Sequence, residues 1–367
     1  MLGNDPGGFN ALKLGRALVE ELYPELALWR RMRDCSPRVA VIGFGKMGLL
    51  HSGIVGLLRP GSLRAVVDKS KLIVSGASRL LPGVRFYTDT AKMLRENSLD
   101  AVFVTTPTEH HVGVVKELWG NGFQGYVFVE KPPAKSLEEY RGIASGETAR
   151  RTMTGFQKRF AAPYRHLRML VERGALGRVE EVYAEIRSSD ILEPTSRYDS
   201  LGRGVLLDLG IHVVDLLVWL LGGEPEIVEA RYRRVFTKVD DYFEASMKIN
   251  GVPVRLVATW SEKGLRDPRS LVEIRGSLGW ARATEDMLEA ELSEAHELLG
   301  GSRSAKLYRP HYYQGVPPVN LGHQEYGFED MHFLEAVCMG KEPETSLPRI
   351  EPTMRLVEEL YRAAREA

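Results

Sequence analysis

From Arg38 onward the chain alternates short, almost wholly apolar runs with stretches whose apolar residues recur at helical spacing. Arg38–Ile42, Leu63–Asp68, Val84–Tyr87, Asp100–Thr105, Gly125–Glu130 and Arg151–Gly155 predict six strands. Runs of this kind, apolar rather than alternating, suit strands buried on both faces of a parallel sheet. Helices are predicted after the first strand, near Thr90–Glu96, near Glu109–Trp119, and after Ser136, where Ser136 and Glu139 have capping-box spacing. Regular β-α alternation implies an α/β fold with a doubly wound parallel sheet, which binds ligands at the carboxyl ends of its strands.

Past Gly155 the pattern changes. A helix is predicted from near Pro163, a strand over Val179–Arg187, and an apolar helix over Leu206–Leu221. Strands then follow at short spacing, over Ile227–Phe236, Phe243–Ile249, Val254–Trp260, Leu271–Arg275 and Trp280–Ala283, before helices over Glu329–Met339 and Glu351–Arg365. This succession predicts an α+β domain with a mostly antiparallel sheet, open on one face. Residues 300–327, rich in Gly, Pro, Tyr and His, read as a long loop. Ahead of the first strand, Leu14, Leu18, Leu22 and Leu26 lie at helical spacing, with Pro24 dividing them into two helices that pack on the body or on a neighbouring subunit.

A chain of 367 residues is long enough for two full cores. Its 49 basic and 49 acidic residues balance, and no long basic run offers a surface for nucleic acid or membrane. Two cysteines far apart, Cys35 and Cys338, form neither a disulfide framework nor a zinc pattern, which fits a reducing compartment. No apolar stretch approaches the ~20 residues that span a bilayer, and the first residues lack the basic-then-apolar layout of a secretory signal. The expectation is a cytoplasmic protein.

The candidate chemistry sits at the predicted strand ends. Gly43-Phe44-Gly45-Lys46-Met47-Gly48 follows the first strand and opens a helix. Glycines at these positions permit a tight turn, close approach of a pyrophosphate, and close packing of helix on strand, while the helix N-terminus supplies free N–H groups. The second strand ends in Asp68, placed to accept hydrogen bonds from an adenosine ribose. Asp68 favours NAD over NADP, and Lys69 and Lys71 are the features that leave NADP as the alternative. Thr105-Thr106-Pro107 and the following helix start, with His110 and His111, would border the ribose and nicotinamide. Glu130-Lys131-Pro132 ends the fifth strand; Lys131 there would polarise a substrate hydroxyl, or be only a charged strand end before a turn. Asp208 and His212 are four residues apart on a predicted helix, so that the carboxylate would set the imidazole tautomer and Gly210 would admit a substrate to the backbone. An ordinary surface Asp/His pair is the plainer reading, though the rest of that helix is too apolar to be exposed. No metal set accompanies the histidines.

In this order, Val39–His51, the Thr-Pro loop, Glu130-Lys131-Pro132 and Leu206–Asp215 resemble the glucose–fructose oxidoreductase / inositol dehydrogenase / rhizopine catabolism (GFO/IDH/MocA) family. The resemblance implies a Rossmann domain over 38–156, following a helical extension over 1–37, and a substrate-binding and oligomerisation domain over 157–367. It implies an NAD(P)-dependent oxidoreductase interconverting a secondary alcohol and a ketone on a sugar, cyclitol or nucleotide sugar. His212 would be the general acid/base, with Lys131 polarising the reacting oxygen (the two roles are exchangeable), and Asp208 would orient or bind substrate. Gly43, Phe44, Gly45, Lys46, Met47, Gly48, Asp68, Thr105, Thr106, Pro107, His111, Glu130 and Lys131 would hold the cofactor. By their position after strand ends or before the Asp208–His212 helix, Arg159, Arg187 and Tyr198 join Lys131, Asp208 and His212 as expected substrate contacts. The resemblance also implies a homo-oligomer, dimer or tetramer, formed through the open sheet. Thr108 departs from the asparagine common in the family, and the reading from another class is a non-catalytic dinucleotide-binding sensor.

Overall fold

The structure is a computed structural model, and it describes residues 16–24, 34–79, 81–196, 198–265, 267–308 and 324–367. Six parallel strands, β1 (Val39–Ile42), β2 (Leu63–Val67), β3 (Arg85–Tyr87), β4 (Ala101–Val104), β5 (Tyr126–Glu130) and β6 (Thr152–Gly155), lie in the order β3-β2-β1-β4-β5-β6. Every residue of β1, β4, β5 and β6 is buried, which is why those runs are mostly apolar or small, with Glu130 at the end of β5 the charged exception. The order reverses between β1 and β4, and that switch point opens a crevice at the carboxyl edge of the sheet. Helix α2 (Lys46–Leu58) leaves β1, and α5 (Thr108–Gly120) leaves β4. The capping box is rearranged: Ser136 Oγ accepts from the Glu139 N–H, while the Glu139 carboxylate accepts from Lys135 N–H rather than from Ser136.

Among the described residues the second sheet has nine strands. At its middle, β7 (Val179–Arg187) pairs parallel with β10 (Val252–Thr259) and antiparallel with β11 (Arg269–Gly276). β8 (Pro225–Arg233) and β9 (Tyr242–Ile249) extend one side, and β12 (Gly279–Ala283) the other. Three further strands were not expected: β13 (Met287–His296) and β14 (Ser302–Tyr308), which pair antiparallel, and the short β15 (Arg365–Glu366), which pairs parallel with β8. Residues 302–308 are therefore sheet, not loop, and residues 309–323 of the expected loop lie outside the described residues. Helices α8 (Ala162–Glu172) and α9 (Ile211–Leu221) cover one face, where Val182, Ala184 and Ile186 of β7 are buried. The alternate row, including Tyr183, Glu185 and Arg187, is on the other face and only partly buried.

Helix α10 (Gln324–Met339) runs from the second half of the chain onto the first sheet, where Phe333 packs edge-on against Phe103 and Phe128. The N-terminal helix α1 (Arg16–Leu22) docks nearby: Tyr23 stacks on Phe328, and Arg165 donates to the Leu22 carbonyl. Leu14 and Leu26 of the expected helical repeat lie outside the described residues. The cysteine expectation is corrected here. Cys35, just ahead of β1, and Cys338, in the last turn of α10, form a disulfide, so these cysteines no longer argue for a reducing compartment. Separation along the chain did not keep them apart, because α10 returns to the edge from which β1 starts.

No helix among the described residues is long and apolar enough to cross a membrane.

Candidate active site

The glycine turn is built as its residue types require. Gly43 has φ +92°, and a Cβ there would meet Thr106 N at 2.8 Å; at Gly48 a Cβ would meet the Gly43 carbonyl oxygen at 2.0 Å. Gly45, by contrast, faces open space and begins α2 with no side-chain cap, so the first N–H groups of the helix stay available to an anion. Asp68 closes the far side: its Oδ2 accepts from Phe44 N–H (2.8 Å) and its Oδ1 from Ser70 N–H (2.8 Å). Each oxygen keeps a lone pair for a ribose hydroxyl. Thr105 Oγ1 donates to Gly43 O (2.7 Å), tying the loop after β4 to the turn. These residues fit a dinucleotide: an open cradle at Gly45, an unsatisfied helix N-terminus, and a carboxylate one strand away.

A cavity of about 650 Å³ continues from the turn along the carboxyl edge of β4 and β5 into the second half of the chain. Lys46, Met47, Thr105, Thr106, Pro107, His111, Glu130 and Lys131 line it from the first sheet, and Tyr198, Asp208 and His212 from the second half. His111 shapes the wall without offering a free ring nitrogen, since Nδ1 and Nε2 sit 2.8 and 2.7 Å from the Pro132 and Thr106 carbonyls.

Lys131, Asp208 and His212 converge, though not in the expected pairing. Helix α9 is preceded by a π-helical turn, Leu206–Gly210, which carries Asp208 to the cavity. Lys131 Nζ donates to the Asp208 carbonyl (2.7 Å) and lies 3.3 Å from its Oδ1. The Asp208 carboxylate thus serves the lysine, not the imidazole. His212 Nδ1 is buried with no partner among the described residues. Burial, with Lys131 and Lys158 nearby, pushes His212 well below the ordinary histidine value, so the ring is neutral at neutral pH. Gly210 also serves another purpose than expected: its open side faces Ala258 of β10, where a Cβ would come within 3.1 Å, so it allows helix-to-sheet packing.

Two expected substrate contacts lie elsewhere. Arg159 is buried and donates twice to Asp215, at 2.6 Å each, with Thr353 Oγ1 completing that carboxylate. A guanidinium so engaged is structural. Arg187 sits on the sheet face opposite Ile186 and is held by Glu185 and Glu262. Alternation along β7 sends Ile186 to the cavity and Arg187 away from it. Tyr198 does line the cavity, stacked on Trp260.

Other wall residues were not assigned to the site from the sequence: Gln157, Lys158, Asp190, Glu285 and Tyr326. Lys158 is ion-paired with Glu285, and Gln157 Nε2 donates to Tyr326 Oη (2.9 Å). Gln157 and Lys158 directly follow β6, so a rule that searches every carboxyl strand end would have found them.

Comparison with known proteins bears on the family and the fold. Residues 37–153 match the family model described as "Oxidoreductase family, NAD-binding Rossmann fold", and residues 164–282 match the GFO/IDH/MocA C-terminal domain. The chain belongs to the GFO/IDH/MocA family. Among GFO/IDH/MocA relatives, scyllo-inositol 2-dehydrogenase (NAD(+)) of Bacillus subtilis is 30% identical over 199 residues, which are 53% of this chain and 57% of that protein. The chain thus spans little more than half the length of the first curated relatives it matches. An oxidoreductase domain protein from Kribbella flavida has the same fold, with TM-score 0.76, 24% identity, and coverage of 89% of this chain and 96% of that one. Levoglucosan dehydrogenase, solved with NADH and levoglucosan, also shares the fold, with TM-score 0.76, 18% identity, and the same coverage.

Proposed function

We propose that this protein is an NAD-dependent dehydrogenase or reductase that interconverts a secondary alcohol and a ketone on a sugar-like polyol. The convergence of Lys131, Asp208 and His212 on the cavity beyond the glycine turn carries this reading. A bound nicotinamide would supply the hydride chemistry. His212, neutral and buried, takes the hydroxyl proton as the alcohol is oxidised and returns it in reduction. Lys131 donates a hydrogen bond to the reacting oxygen and stabilises its developing negative charge. Asp208 orients Lys131 through both its carbonyl and its carboxylate. A dinucleotide sensor would need neither Lys131 nor His212 in the cavity, which favours the catalytic reading over the non-catalytic one.

Uncharged substrates suit the wall best. Lys131 is matched by Asp208, Lys158 by Glu285, and both candidate arginines are engaged elsewhere. The names of two relatives, an inositol dehydrogenase and a levoglucosan dehydrogenase, point to the same class. NAD is preferred because Asp68 would repel a 2′-phosphate. Further parts of the proposal are an extension, a Rossmann domain and a substrate domain at 1–37, 38–156 and 157–367, cytoplasmic location, and a homo-oligomer joined through the outer sheet face. The test is a panel of cyclitols, sugars, sugar phosphates and nucleotide sugars, each with NAD and NADP, followed by NADH or NADPH absorbance. Turnover of an uncharged polyol with NAD is expected. Turnover of sugar phosphates alone would refute the substrate class.

A further inference from the structure

Behind the cavity wall lies a line of buried ionisable groups that the proposed chemistry does not use. His51, on α2, is fully buried between two carboxylates. Its Nε2 is 3.0 Å from Glu130 Oε1, and its Nδ1 is 2.8 and 3.0 Å from the two oxygens of Asp330 on α10. Phe103, Phe128 and Tyr326 enclose the ring. The second oxygen of Glu130 accepts from the Lys131 N–H at 3.0 Å. Glu130 is the member of this line that reaches the cavity, at the carboxyl end of β5.

Burial opposes a charge on His51, but Asp330 and Glu130 outweigh it and hold the ring protonated well above its ordinary value. Burial likewise opposes charge on Glu130, and His51 overcomes it, so Glu130 stays ionised. With Asp330 meeting the imidazolium from behind, His51 does not cancel the charge of Glu130, which faces the cavity beside the neighbouring cation Lys131. In this strand order the dinucleotide crosses the switch point from the turn after β1, so its nicotinamide end lies towards β4 and β5. That ring is positively charged when oxidised and neutral when reduced.

We propose that Asp330, His51 and Glu130 form a cofactor-tuning line, in which Asp330 and His51 fix Glu130 as an anion on the cavity wall so that oxidised nicotinamide binds more tightly relative to reduced. Asp330 and His51 are positioning residues, acting through Glu130. The inference rests on the reading that a nicotinamide dinucleotide occupies this cavity.

The experiment measures dissociation constants for NAD and NADH by calorimetry on the full chain, as wild type, Glu130→Gln and Asp330→Asn. Glu130→Gln should weaken NAD binding about tenfold while leaving NADH affinity nearly unchanged, the scale expected for one charge at short range in a partly screened site. A tenfold change in that ratio moves the potential of the bound couple by about 30 mV. Asp330→Asn should shift the ratio the same way by a smaller factor, because His51 then neutralises Glu130 from behind. It decides the matter alone if Glu130→Gln does not fold. Equal losses of both affinities, or an unmoved ratio, would overturn the inference. Wild-type protein that binds neither NAD nor NADH would instead overturn the cofactor reading beneath it.

Discussion

The roles proposed for Lys131 and His212 follow from what surrounds them. The lysine is held as a donor by the Asp208 carbonyl, and the imidazole is kept neutral by burial and two nearby ammonium groups. Residue types at strand and helix ends marked both as candidates in sequence, and the structure puts both on the cavity wall, but their partners were not legible. Which carboxylate meets which base depends on a π turn that the sequence pattern does not announce. The arginines were misread for a related reason. Chain position near a strand end says nothing of which face a side chain takes, and Arg187 takes the outer one. Glu329 gives a residue-scale prediction. It is fully buried, and its carboxyl oxygens have no hydrogen-bond partner among the described residues. Burial first, and then Glu130, push it well above its ordinary 4.5. Below 4.5 it is protonated both folded and unfolded. As pH rises beyond that, only the unfolded chain ionises, so stability is lost progressively up to the folded value. Glu329→Gln should therefore raise the thermal midpoint at neutral pH by a few degrees, with the gain vanishing under acid. Equal midpoints at every pH would show that Glu329 is not held protonated.

At the scale of elements, the first sheet was almost wholly readable. Strands buried on both faces are written as apolar runs, and each of the six appears close to its expected place. β13 was missed because Met287–His296 is rich in Glu, Ala and Leu, residues that favour helices when isolated. Pairing with β12 and β14, which buries Leu288, Ala290 and Leu292 on one face, overrides that preference. The disulfide was illegible for a different reason: nothing local says that α10 ends beside the start of β1. Cys35–Cys338 closes a loop of 303 residues, so it restricts the unfolded chain strongly. Cys35→Ser should lower unfolding free energy by about 2–5 kcal/mol in denaturant titrations under oxidising conditions. Addition of reductant should bring the unaltered protein to the same value. An unchanged midpoint in the variant would mean that the bridge adds no stability.

At the scale of the molecule, the site exists only where the two halves of the chain meet. Lys131 comes from the end of the first sheet, Asp208 and His212 from the helix that covers the second, and Tyr326 from α10 reaching back. The balanced charge of 49 against 49 agrees with a small-molecule partner rather than a polyanion. The fold and the cofactor end follow from pattern and spacing, whereas the proposal of an uncharged substrate rests on the pairing of Lys131 with Asp208 and of Lys158 with Glu285 across the cavity. Binding and turnover measured on the same preparations of Lys131→Ala and His212→Ala test the central claim most directly. With the best polyol from the panel, kcat should fall at least about 100-fold in each variant, the lower range for loss of a general acid/base, while NADH still binds. Wild-type rates in both variants would contradict the assignment of Lys131 and His212 to the chemistry.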